Sequence, residues 1–199
     1  METNRLEAFS DAVFAIVITL LVLEIKVPPI TNLGTGLIHL WPSYLAYVMS
    51  FVVIGAIWIN HYAMFELIEK TDHKLLLLKT FHLLLIAFLP FTTAVLAESL
   101  HARASQNVAA AFYGGILTFI GVLVTAMWYY AARNRHLLIS LITEEHVRRI
   151  GRRYLVGPVG YAVATTMALF SHWAAIVLFV FLNGYFLWPR RTSDGLPHA

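Results

Sequence analysis

The amino-acid sequence predicts an all-α integral membrane protein with six transmembrane helices per subunit. Hydrophobic residues make up 59% of the 199 residues and charged residues only 13%, whereas soluble domains contain about 25% charged residues. Six apolar stretches approach the roughly 20 residues that an α-helix needs to cross a bilayer. Twelve of the 14 lysines and arginines lie on one side of the membrane when successive stretches alternate in direction. These three observations exclude a soluble enzyme and favour a polytopic membrane protein.

The six predicted spans follow one another with short connections. The first ends before Pro28 and Pro29, because a proline disfavours helical backbone in the residue before it. The second begins near Pro42, and proline is favoured in the first turn of a helix. The predicted spans are residues 5–27, 42–67, 75–97, 108–131, 154–170 and 173–188. Residues 1–191 then form a single transmembrane domain, and we expect 192–199 to be a disordered cytoplasmic tail.

The positions of the basic residues predict the orientation of these spans. Lysine and arginine are enriched in the cytoplasmic connections of membrane proteins. With a cytoplasmic N-terminus, only Lys26 and Arg103 lie outside. The others are cytoplasmic: Arg5, Lys70, Lys74, Lys79, Arg133, Arg135, Arg148, Arg149, Arg152, Arg153, Arg190 and Arg191. We therefore expect a multi-pass protein of the cell membrane with both termini in the cytoplasm.

The first span contains polar residues where they are costly. Arg5 and Asp11 lie at its N-terminal end, and charged groups within a membrane helix usually have a functional or structural role. At 100° per residue, Ile16, Thr19, Leu20 and Leu23 fall on one stripe about 100° wide. Phe9 and Arg5 extend this stripe, whereas Asp11 lies nearly opposite. From periodicity alone, the stripe either lines a functional surface or contacts lipid or a neighbouring helix.

Later spans contain two further patterns. Lys79, His82, Pro90 and Thr93 share one face of the third span, and His61 lies near the same depth in the second. We predict a buried network joining Asp11 to His61, with Lys79 or His82 as a further member; independent snorkelling of these groups is the alternative. In the fourth span, the small residues Gly114, Thr118, Gly121 and Thr125 predict close packing against another helix.

Catalytic and metal-binding patterns are missing. The chain has no cysteine, and its nine histidines form no pair with metal-ligand spacing on one face. Neither a nucleophile elbow nor a phosphate-binding loop is present. The net charge of +3 is accounted for by membrane orientation and does not require nucleic acid. The sequence therefore predicts a protein that is not an enzyme and has no cofactor.

Motifs in the first three spans resemble a known family. The first helix contains Arg5-x-x-x-Phe9-Ser10-Asp11, followed by Ala-Val-Phe-Ala-Ile-Val-Ile-Thr-Leu-Leu-Val-Leu-Glu. Weaker matches are Trp58-x-x-His61 with Phe65, and Leu89-Pro90-Phe91-x-Thr93. Together they resemble the transmembrane protein 175 family, potassium channels of endosomes and lysosomes with single-repeat prokaryotic relatives. The chain length and the six spans are similar to those of the single-repeat type.

The resemblance implies a homotetrameric, potassium-permeable cation channel in the lipid bilayer, with its pore lined by the first helix. Ile16, Leu20 and Leu23 would form the hydrophobic constriction that acts as gate and selectivity element, and Thr19 would hold partly hydrated ions beside it. The structural motif at the cytoplasmic pore mouth would comprise Arg5, Phe9, Ser10, Asp11, Trp58 and His61. The alternatives are a proton-permeable channel of the same architecture, a small secondary transporter and a non-conducting assembly subunit.

Overall fold

A computed structural model describes residues 4–187 of the protein, and the side chain of Asn4 is not part of the description. Within this range the fold is all-α and contains no β-sheet. The α-helices are α1 (Asn4–Leu20), α2 (Leu33–His39), α3 (Trp41–Phe65), α4 (His73–Ala102), α5 (Gln106–Arg133), α6 (Glu144–Ala168) and α7 (His172–Leu187). The predicted tail 192–199, and the last residues of the predicted domain and sixth span, lie outside the described residues.

The first predicted span differs from a single helix over residues 5–27. Helix α1 ends at Leu20 and continues as a 3₁₀ turn over Leu21–Glu24. The backbone is then non-helical as far as Pro29, because each proline favours extended backbone in the residue before it. The short helix α2 follows, and it packs on Pro28 at Gly36, where an added Cβ would lie 2.6 Å from the Pro28 Cβ. Helix α2 was not predicted from the sequence.

Three of the remaining predicted spans correspond to long apolar helices. Helices α3, α4 and α5 and the α1 segment are long and apolar enough to cross a membrane, whereas α7 is a shorter apolar helix. Helix α6 begins at Glu144 instead of the predicted Tyr154. Its first turn is capped by Thr143, whose hydroxyl accepts a hydrogen bond from the His146 N–H at 3.3 Å. Four helices thus have the composition of complete spans, and the six-span topology remains a prediction.

The long helices alternate in direction, so their connections lie at two opposite ends of the helix bundle. At one end, the α3–α4 connection meets the α5–α6 connection, where the Glu69 N–H donates to the Leu137 carbonyl at 2.9 Å. At the other end, Asn107 of α5 bonds the Leu169 carbonyl and the His172 N–H between α6 and α7. Chain connectivity therefore separates the basic connections after α3 and α5 from the end that carries Arg103.

The predicted small-residue stripe of α5 packs against α6. An added Cβ on Gly121 would lie 2.9 Å from the Pro158 backbone nitrogen, and one on Gly114 would lie 2.5 Å from the Thr165 hydroxyl oxygen. The Thr125 hydroxyl donates to the Tyr154 carbonyl at 2.9 Å. Close packing of these two helices, as predicted from the sequence, is confirmed. Helices α4 and α7 also pack on this pair, and α3 packs on α4 and α7.

Candidate functional site

One face of α1 packs into the protein and the opposite face does not. Ser10, Phe14, Val17 and Leu21 recur every three or four residues and are buried against α3 and α4. The opposite stripe is exposed within the single chain: Phe9 at 61%, Ile16 at 58%, Leu20 at 41% and Leu23 at 65%. Only 22% of the α1 segment is buried, compared with 39–50% for α3, α4 and α5. Helix α1 therefore has a large apolar surface that its own subunit does not cover.

Leu23 is also on this exposed surface, but its backbone conformation differs from that of Ile16 and Leu20. It is part of the 3₁₀ turn that follows α1, so the residue-to-residue rotation there is wider than 100°. Ile16 and Leu20 lie on the α-helix itself. The stripe predicted with a single helical wheel is therefore present as an exposed surface, although its last residue is not on α-helical backbone.

Thr19 is the only polar residue between Ile16 and Leu23. Its hydroxyl donates to the helix backbone, with the Ile16 carbonyl oxygen at 2.8 Å and the Ala15 carbonyl oxygen at 3.1 Å. Because the single hydroxyl hydrogen is used by the backbone, the lone pairs of the oxygen point away from the helix. Thr19 can thus accept a hydrogen bond from water or contact a cation at the exposed surface.

Asp11 has a different partner from the predicted one. The Trp58 indole N–H of α3 donates to Asp11 Oδ1 at 2.9 Å, and both side chains are exposed. The predicted buried network joining Asp11 to His61, with Lys79 or His82 as a further member, is wrong. Asp11 is exposed and bonded to Trp58, whereas the two histidines and Lys79 are buried with no hydrogen-bond partner among residues 4–187. Asp11 nevertheless joins α1 to α3.

The two histidines form an aromatic cluster with Phe14. Their rings lie nearly parallel with centroids 6.1 Å apart, and Phe14 packs 5.7 Å from His61 and 6.2 Å from His82. Neither histidine has a hydrogen-bond partner within the described part of the chain. Lys79 is fully buried beside them, with its ammonium group 4.3 Å from the centroid of the Phe65 ring. The predicted polar face of α4 is therefore buried along its whole length, since its other two residues, Pro90 and Thr93, are also buried.

Two other residues of the predicted motif, Ser10 and Arg5, lie on α1 in different surroundings. Ser10 is fully buried, and its hydroxyl donates to the Leu6 carbonyl within α1 at 2.7 Å. Arg5 is exposed at the N-terminal end of α1. Phe14, the residue that contacts both histidines, was not among the predicted site residues. Its spacing from Ser10, Val17 and Leu21 could have identified it as a member of the buried face.

A groove lies beside the Asp11–Trp58 pair, between α1 and α3. Its walls are otherwise apolar and include Phe14, Ala15 and Gly55. No group of three or more potential metal ligands occurs among the described residues. The arrangement therefore presents an apolar stripe with one hydroxyl, and beside it a groove containing a single charged hydrogen bond.

Comparison with known proteins identifies the family. A family described as "Endosomal/lysosomal potassium channel TMEM175" matches residues 5–90, which contain the first-helix motif. The chain is 42% identical over 191 residues to a protein of Chamaesiphon minutus named as a potassium channel, and the alignment covers 93% of each chain.

Structural comparison leads to the same family. The fold superposes with a TM-score of 0.85 on the crystal structure of a protein described as a lysosomal potassium-selective channel TMEM175 homologue from Chamaesiphon minutus. That match has 40% sequence identity and covers 96% of this chain and 98% of the other. A Danio rerio relative named as an endosomal/lysosomal proton channel is 33% identical over 66% of this chain, but only 27% of the fish protein is aligned. The chain belongs to the TMEM175 family of membrane ion channels.

Proposed function

We propose that this protein is a potassium-permeable cation channel in which four copies of the chain surround one pore. The observation that carries the proposal is the exposed stripe of Ile16, Leu20 and Leu23 on the least buried apolar segment. The similarity to proteins named as potassium channels supports potassium as the permeant ion. The bilayer is the surrounding medium, with both termini at the cytoplasmic side, as the basic residues predict.

The Asp11–Trp58 pair favours protein contact over lipid contact on this side of α1. A charged aspartate in a membrane helix is costly when it faces hydrocarbon. In a single chain, both Asp11 and Trp58 are exposed beside the α1–α3 groove. In the proposed tetramer, a neighbouring subunit or water at the pore mouth surrounds this pair. Arg5, Phe9, Ser10 and His61 then stabilise the same end of the pore.

Fourfold symmetry converts one side chain into a ring, so a single isoleucine per subunit suffices to narrow the pore. A ring of apolar side chains controls permeation by dewetting, because an ion that sheds water there gains no new ligands. The rings of Ile16, Leu20 and Leu23 would therefore act as gate and selectivity element. The Thr19 hydroxyl oxygens lie beside these rings and would stabilise partly hydrated ions.

Proton permeation is the second candidate function, because vertebrate relatives are named as proton channels. Recordings from purified protein in planar bilayers distinguish the two functions. We expect reversal potentials to follow the potassium gradient, and to change little when a pH gradient is imposed at equal potassium. A reversal potential that follows pH would support the proton channel. Saturable flux without single-channel current would indicate a transporter, and a silent bilayer a non-conducting subunit.

A further inference from the structure

Helix α6 changes from charged to apolar partway along its length. Its first ten residues, 144–153, contain four arginines, and no charged residue occurs between Tyr154 and Ala168. In a membrane protein such a change marks the level of the lipid headgroups, where arginine side chains reach the interface. The arginines therefore lie at the depth of the lipid phosphates.

These arginines have few anionic partners. Arg149 forms an ion pair with Glu145 at 3.2 Å on the exposed helix surface. Arg148 and Arg152 are exposed and form no ion pair with the described residues. Arg153 is half-buried, and one of its terminal nitrogens donates to Asn60 Oδ1 at 3.2 Å. Its Nε is buried without a hydrogen-bond partner among residues 4–187. The arginines of residues 144–153 thus carry more positive charge than the acidic side chains of the described residues neutralise.

Apolar surface begins one turn further along the same helix. Val156 and Val159 are exposed at 36% and 61% on the side of α6 that carries Arg152. Val163, one turn further along the same face, is exposed at 50%. The exposed apolar stripe therefore continues along the helix from the arginines.

We propose that this face of α6 binds an anionic phospholipid from the leaflet at that end of the protein. The phosphate contacts Arg152 and Arg153, and an acyl chain lies along the exposed side chains of Val156 and Val159. The positive charge and the adjoining apolar surface match the two halves of such a lipid, and basic sites between transmembrane helices bind anionic headgroups in this way. Helix α1 packs chiefly on α4 and α3, so the lipid site is separate from the proposed pore surface.

The test uses the purified full chain in detergent, incubated with equal amounts of phosphatidylglycerol and phosphatidylcholine carrying identical acyl chains. Native mass spectrometry then counts the lipids retained. We expect phosphatidylglycerol to be preferred, and Arg152→Gln with Arg153→Gln to weaken its binding by about fivefold for each arginine. The glutamine at position 153 retains an N–H group that can donate to Asn60 Oδ1, so we expect this variant to fold normally. The exposed pair Arg148→Gln and Arg152→Gln provides a second variant and should also reduce binding.

The matched control is Lys26→Gln with Arg103→Gln, which removes the same charge at the opposite end and should leave the preference unchanged. Equal binding of the two lipids by the unmodified protein would overturn the proposal. An equal loss of phosphatidylglycerol binding in the control variant would also overturn the proposal, because binding would then depend on the net charge of the protein and not on these arginines. Soluble glycerol 3-phosphate should not displace the lipid. Displacement by this compound would indicate a phosphate site and overturn the role of the acyl chain.

Discussion

At Ile16, an isoleucine side chain is 58% exposed on a helix whose opposite face is buried. Residues 4–187 leave more than half of this side chain uncovered, and it lies on the same surface as the Thr19 hydroxyl. A ring of four such side chains accounts for both features, because it brings apolar groups together and leaves the neighbouring hydroxyls facing the permeation path. Single-residue changes on this stripe should therefore alter ion flow without altering the fold.

Ile16→Asn tests the apolar character of the constriction. Asparagine adds hydrogen-bonding groups that keep the narrow region hydrated, so the barrier to ions should fall. We expect a larger conductance and weaker discrimination between potassium and sodium in bilayer recordings. Phe181→Asn is the control, since Phe181 is 72% exposed on α7. Unchanged conductance and reversal potential for Ile16→Asn would contradict the assignment of Ile16 to the constriction.

Asp11→Ala tests the role of the bond to Trp58. Loss of a hydrogen bond to a charged group costs about 1.5–3 kcal/mol. We expect the tetramer to dissociate more readily in detergent while the channels that remain conduct normally. Asp11→Asn retains an acceptor for the Trp58 N–H and should preserve more of the tetramer. Light scattering after size-exclusion chromatography measures the assembly, and a fully stable Asp11→Ala tetramer would argue against this role.

At the scale of the helices, the contact between α5 and α6 depends on the small residues Gly114 and Gly121 of α5. Gly121→Ala would place a Cβ 2.9 Å from the Pro158 backbone nitrogen, and backbone atoms cannot move aside as a flexible side chain can. Overpacking of this kind costs about 1–3 kcal/mol. We expect a lower melting temperature in detergent. Gly115→Ala, in the same helix but with no atom within 4 Å, should not lower it. Equal melting temperatures for the two variants would show that this contact tolerates a methyl group.

The start of α4 depends on Asp72, which lies outside the apolar spans. Its carboxylate accepts hydrogen bonds from the Leu75 N–H at 2.9 Å and the Tyr130 hydroxyl at 2.5 Å. Partial burial acts to raise the pKa of Asp72. The Tyr130 and Leu75 hydrogen bonds, with His136 nearby, outweigh burial and lower the pKa. The carboxylate therefore stabilises the fold above its ordinary pKa, and this contribution is lost as the pH falls through the lowered value.

Asp72→Ala should consequently destabilise the protein by about 1 kcal/mol at neutral pH, as the loss of a helix cap does. The difference in melting temperature from the unmodified protein should shrink as the pH approaches 3. Asp72→Asn retains a capping side chain and should be milder at neutral pH. A difference that stays constant down to pH 3 would show that the charge of Asp72 does not contribute.

Sequence periodicity predicted those elements whose patterns are long and local. Helices α3, α4 and α5 were predicted in number and order, and the α5 stripe was predicted to pack closely. Helix α2 was missed because seven residues that include Gly34 and Gly36 have weak helix propensity, and the close approach of Gly36 to Pro28 is not visible in the sequence pattern. The early start of α6 was missed because its charged first turns carry no apolar signal.

The partners of individual side chains were harder to predict than the helices. Periodicity identified the exposed stripe of α1 and the buried polar face of α4. It did not show that Asp11 contacts Trp58 instead of His61, because that choice depends on how α1 and α3 are rotated and shifted against each other. Such rotations result from packing at Phe14 and Val17, and the sequence alone does not determine them.

At the scale of the whole molecule, the proposed channel requires more than one copy of the chain. Its helices pack around α4 and α5, and the exposed stripe of α1 encloses no path by itself. Membership of the TMEM175 family and the exposed α1 surface together lead to the proposed tetramer, in which the pore forms only between subunits. In the proposed tetramer, Ile16 of one subunit must therefore lie close to Ile16 of the others.

The chain contains no cysteine, so one introduced thiol can be studied without background. The most direct test of the central claim is inhibition of current by Cd²⁺ in the Ile16→Cys channel, with Phe181→Cys as the control. A ring of thiolates around the pore binds Cd²⁺, so we predict block of Ile16→Cys, reversal by a chelator, and no block of Phe181→Cys. Conduction through Ile16→Cys that is unaffected by Cd²⁺ would contradict the placement of α1 around the pore.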